Sequence, residues 1–75
     1  MSRMISREAL DNLRHRYPAG TRVELIQMND PYTKLKPGDR GTVSYVDDIG
    51  TVHVSWDCGS SLGLVWGEDL YKEIK

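Results

Sequence analysis

The sequence predicts a mainly β fold, a small five-stranded barrel preceded by one short N-terminal α-helix. Three observations lead there. Two strand-like runs, Gly41 to Val46 and Thr51 to Asp57, flank the acidic turn Asp47-Asp48-Ile49-Gly50, and a third run, Ser60 to Val65, follows the turn Asp57-Cys58-Gly59. Within the second run Val52, Val54 and Trp56 alternate with Thr51, His53 and Ser55, the period of a half-buried strand. The chain has 75 residues, which allows one domain with a modest core. A meander of this size with one apolar face reads as the core of an SH3-like barrel.

The first element is a helix over residues 7–16, within an N-terminal unit of residues 1–19 that docks on the barrel of residues 20–75. Ser6 stands at the N-cap, and Glu8 lies in the first turn, where the helix dipole favours a carboxylate. Ile5 and Leu10 occupy the positions of a hydrophobic staple. Leu10, Leu13 and Tyr17 form a narrow apolar stripe, and Pro18 ends the helix. Arg7 and Arg14 line one side of that stripe, where Asp11 stands at pairing distance from both along the helix.

Ala19-Gly20 turns the chain into a first strand, Thr21 to Met28. Val23 and Leu25 face inward, and the opposite parity of Ile26 and Met28 demands a bulge or a covering loop. The long loop Asn29 to Asp39 contains the turns at Asn29-Asp30-Pro31 and Lys36-Pro37-Gly38-Asp39, with Leu35 as an end plug. In the second strand, Arg40 to Val46, alternation places Val43 and Tyr45 inside, and Gly41 suggests a close backbone approach. Gly50 supplies the positive φ of the hairpin that follows. Leu62 and Leu64 continue the inner face, Gly63 marks a twist or close approach, and Glu68-Asp69-Leu70 forms a 3₁₀ turn before a last strand, Tyr71 to Ile74.

Composition excludes several classes of function. Cys58 is alone, so no internal disulfide forms, and the chain suits a reducing, cytoplasmic setting. No apolar run reaches the length of a membrane span, so no membrane partner is expected. Net charge is −1, against a protein devoted to gripping phosphate, although residues 1–22 balance to +3 and residues 41–75 to −4. His15, His53 and Cys58 have no metal-ligand spacing, and Asp47-Asp48 lacks the alternating carboxylates of a calcium loop, so neither a metal nor a cofactor is expected. Cys58 sits beside Asp57, which opposes thiolate formation, and Ser60 and Ser61 lack a nucleophile elbow, so no catalytic residue is assigned.

The stretch Met28-Asn29-Asp30-Pro31-Tyr32, then Leu35 to Val43, Asp47 to Val54, Trp56-Asp57, Gly59-Ser60, Leu62-Gly63-Leu64 and Gly67-Glu68-Asp69 resembles a small uncharacterised family of bacterial proteins, many from phages and other mobile elements. The resemblance covers about two-thirds of the chain, Gly20 to Leu70, and implies an SH3-like barrel without established catalytic residues. Its mobile-element character suggests an accessory factor or an inhibitor of a host complex.

Two functional expectations follow. The first is a non-catalytic protein-interaction module, monomeric or weakly homodimeric. Its partner-binding surface takes in Tyr32, Lys34, Asp47, Asp48 and Trp66, since tyrosine and tryptophan are common interface anchors. The alternative is a weak nucleic-acid-binding domain that uses Arg7, Arg14 and Arg16 of the helix; against it, Tyr45 and Trp56 fall on the inward parity and the basic residues are not interleaved with aromatics.

Overall fold

The computed structural model describes residues 5–28 and 34–74. Helix α1, Arg7–Arg16, begins where Ser6 adopts an extended conformation and its Oγ accepts a hydrogen bond from the Ala9 N–H at 3.1 Å. It ends where the Tyr17 N–H donates to Leu13 O at 3.0 Å, just before Pro18. Leu13 and Tyr17 are buried, and Ile5 and Leu10 pack beside them against the core, as the staple requires. The helix is too short to persist alone in water, so this packing is what holds it.

Five antiparallel strands make one sheet in the order β4-β3-β2-β1-β5: β1 Arg22–Gln27, β2 Arg40–Val46, β3 Thr51–Trp56, β4 Gly63–Val65 and β5 Leu70–Ile74. The first four strands form a meander and the fifth returns beside the first, and no ladder joins the edge strands β4 and β5 among the described residues. The first strand and the third run of the meander are shorter than the sequence suggests. Ser60–Leu62 stays outside β4, with Ser60 O accepting from the Trp56 N–H. Leu70 belongs to β5, and the turn before it closes through the Glu68 and Asp69 N–H groups on Val65 O.

The core consists of Val23, Leu25, Val43, Val52, Val54, Trp56 and Leu64, as alternation predicts, joined by Leu13, Tyr17, Leu35 and Val46. Trp56 is 2% exposed, and its Nε1–H donates to Leu62 O at 2.8 Å, so the indole's polar edge is satisfied in the interior. Gly41 sits at a close approach within the sheet. A Cβ there would lie 2.5 Å from Val54 Cγ1 and 2.9 Å from Ser55 O. Gly50 takes φ +86° in the β2–β3 turn, as the hairpin demands.

Two bulges break the alternation. One falls between Leu25 and Gln27 against β5; Ile26 stays exposed and the shifted count returns Met28 to the core side. The other falls between Val43 and Tyr45 against β3 and overturns an expectation. Tyr45 is not a core residue: it is 56% exposed, and Val46 takes the inward position in its place. The extra residue, Ser44, lets two positions of β2 oppose one of β3, so parity counted from Val43 fails at the next step.

Candidate binding surfaces

The β2–β3 turn is organised by one carboxylate. Asp47 Oδ1 accepts from the Ile49 N–H at 3.1 Å and the Thr51 N–H at 2.9 Å, while Oδ2 lies 2.9 Å from His53 Nε2. Burial works against the Asp47 charge, but the bonds from His53, Thr51 and Ile49 outweigh it and hold the carboxyl below its ordinary pKa. With Nε2 turned to Asp47, the imidazole of His53 lies parallel to the Tyr45 ring, centroids 4.3 Å apart and planes inclined by 9°. The hydrogen bond that the His53 ring makes among the described residues is this one to Asp47.

Asp48, next along, is tied to the helix. Its Oδ1 lies 2.6 Å from Arg14 Nη2, and Arg14 Nε donates to Val46 O at 3.4 Å. The helical spacing pointed to Asp11 as the partner of Arg14; the hairpin supplies that partner instead, because docking α1 brings its last turn over the turn of β2 and β3. Arg7 and Arg16 have no ion pair among the described residues, and the Arg16 guanidinium stands 5.9 Å from the Tyr17 ring centroid.

Trp66, half-buried, borders a cleft of about 350 Å³ between α1 and the β4–β5 turn, walled by Asn12, Leu13, Arg16, Tyr17 and Tyr71. Tyr17 and Tyr71 meet in a tilted ring pair 5.2 Å apart. Burial pushes the Tyr71 phenol up to about 12, with the nearby Tyr17 and Asp69 adding to the shift. A second cleft, of about 260 Å³, lies beyond the end of α1 and is lined by Arg14, Pro18, Ala19, Ser44 and Tyr45.

Of the residues singled out by sequence, Asp47, Asp48 and Trp66 lie toward one end of the sheet and Lys34 toward the other. Asp47 and Asp48 are adjacent on the turn after β2, and Trp66 lies near that end, since a Cβ on Gly50 would meet the Trp66 Cβ at 3.3 Å. Lys34 is exposed in the loop that precedes β2, at the opposite end of that strand. Tyr32 lies outside the described residues. Sequence reasoning missed the roles of Tyr71, seen only as the start of a strand, and of Tyr45. The ring spacing of Tyr17 and Trp66 about Tyr71 is long-range and leaves no local signal.

Elsewhere, ion pairs knit the outer sheet face. Arg22 forks onto Asp57 at 2.8 and 2.6 Å, which holds the Asp57 carboxyl below its ordinary range, and Arg40 meets Glu24 at 3.1 Å. Among the described residues no cluster of three or more His, Cys, Asp or Glu is placed to hold a metal, and no helix is long and apolar enough to cross a membrane.

The chain belongs to the family described as Domain of unknown function (DUF4314), whose model matches residues 6–74. No curated protein and no solved structure matches it.

Proposed function

We propose that this DUF4314 chain is a non-catalytic protein-interaction module that takes up a side chain of its partner in the cleft of Trp66, Tyr17 and Tyr71. The observation that carries the reading is the composition of that cleft. Three aromatic rings and an arginine without an acidic partner among the described residues meet at one partly open site, and Trp, Tyr and Arg are the residue types that dominate interface energetics. Its polar edge, Asn12 and Arg16, matches the apolar centre and polar rim of protein interfaces. Of the surface expected from sequence this reading keeps Trp66; Asp47 and Asp48 hold the turn and the helix.

The solitary Cys58 favours a cytoplasmic setting, and the resemblance to mobile-element proteins favours an accessory factor or an inhibitor of a host complex. The test is affinity capture from the source cells, comparing the parent with Trp66→Ala and Arg16→Glu, each checked for an unchanged melting curve. Partners captured by the parent should be depleted about tenfold or more with either variant, in keeping with hot-spot truncations. Folded variants that retain every partner place the surface elsewhere.

A further inference from the structure

The outward turn of Tyr45 opens a second site, next to the Trp66 cleft and sharing Tyr17 with it. The Tyr45 ring is exposed, yet it is not loose. It lies flat against His53, which Asp47 pins at 2.9 Å, so the phenol is held at a fixed angle on the sheet. Tyr45, but not His53, also lines the cleft of about 260 Å³ whose other walls are Arg14, Tyr17, Pro18, Ala19, Ser44 and Val46. That is space for one planar ring between the tyrosine and the turn after the helix, with a guanidinium at the side.

The charge around the cleft is mixed, with Arg7 and Arg14 flanking Asp11 on the helix and Asp48 paired to Arg14. Arg7 and Arg14 are seven residues apart in α1, which places them on the same face and about 10 Å apart along the axis. Arg7 is exposed and has no ion pair among the described residues, while Arg14 is held by an exposed carboxylate that a stronger anion can displace. Basic side chains beside an aromatic ring are the arrangement by which single strands are bound, bases stacking on the ring and phosphates meeting the cations; here Arg14 lines the cleft and Arg7 lies one step further along the helix.

We propose that Tyr45 and the Arg7–Arg14 edge of α1 bind single-stranded nucleic acid, with one unpaired base stacked on Tyr45 in the Pro18–Ala19 cleft and neighbouring phosphates against Arg14 and Arg7. Asp48 competes for Arg14, so the contact is weak and short. It holds one base and about two phosphates, and the sequence of the strand matters little because every base has a π-face.

The experiment is fluorescence anisotropy of a short labelled oligothymidine with the full chain and with Tyr45→Phe, Tyr45→Leu and Arg7→Glu. Tyr45 and Arg7 are both exposed, so all three variants should retain the fold, which circular dichroism verifies. Two released counterions give a log–log salt slope of about −1.4, or roughly sevenfold weaker binding between about 50 and 200 mM salt. Tyr45→Phe keeps the affinity, Tyr45→Leu loses about tenfold because it keeps bulk but not stacking, and Arg7→Glu flattens the salt slope. Three results overturn the proposal. One is no binding at protein concentrations up to about 100 µM in low salt. Another is binding that Tyr45→Leu leaves unchanged, which is charge attraction alone. The third is Tyr45-dependent binding of a proline-rich peptide with none of the oligonucleotide, which makes the cleft a peptide site.

Discussion

Arg14 in the last turn of α1 and Asp48 at the tip of the β2–β3 turn form a 2.6 Å ion pair that joins the helix to the sheet across 34 residues of chain. The same guanidinium donates to Val46 O at 3.4 Å, so both a side chain and a backbone carbonyl of the hairpin receive it. The carboxylate is 95% exposed and the arginine 42%, which sets the scale of what this link contributes.

A double-mutant cycle with Arg14→Ala and Asp48→Ala, followed by urea denaturation, should give a coupling energy of about 0.3–1 kcal/mol, as for other exposed pairs. The coupling should shrink in high salt. Arg14→Ala should cost more than Asp48→Ala, because it also removes the bond to Val46 O. Equal costs for the two single variants would mean that the backbone bond contributes nothing.

Trp56 is the largest side chain of the buried β3 face and carries a hydrogen bond as well as volume. Trp56→Ala should cost about 3–5 kcal/mol, a large part of the stability of a domain this small. Trp56→Phe should fall between, since it keeps most of the packing but leaves Leu62 O without its donor. Far-UV circular dichroism against temperature reads both. An Ala variant that melts with the parent contradicts the central place of this ring.

Alkaline pH should expose the burial of Tyr71. Its phenol is held neutral up to about 12 in the fold, against about 10 in the unfolded chain. The unfolded state therefore ionises first. The stability this residue contributes is complete below about pH 10 and declines as pH rises toward 12. Denaturation midpoints measured from about pH 9 upward should fall more steeply for the parent than for Tyr71→Phe. Parallel profiles would place the phenol in solvent.

What the sequence disclosed was what is encoded locally. The bounds of α1 follow from Ser6 and Pro18, the core of β3 from strict alternation, and the hairpin from Gly50. The candidate surfaces were less legible. Trp66 stood out by residue type, but its neighbours Tyr17 and Tyr71 come from opposite ends of the chain. Tyr45 was hidden because periodicity assumes that no residue is inserted, and Ser44 is such an insertion. The partner of Arg14 was hidden because spacing along a helix ranks near neighbours first, whereas a docked helix meets groups from distant turns.

The bulge at Ser44 also separates two properties that a strand usually carries together. Remove that one residue on paper and Val43, Tyr45 and Val46 fall into plain in-out-in order, so the faces of β2 would be unchanged. What the extra residue contributes is therefore shape. A bulge adds local twist to the strand that carries it, and this one and its counterpart at Ile26 fall on the adjacent strands β2 and β1. In this fold, curvature is written in chain length, and the identity of the faces is written in the side chains.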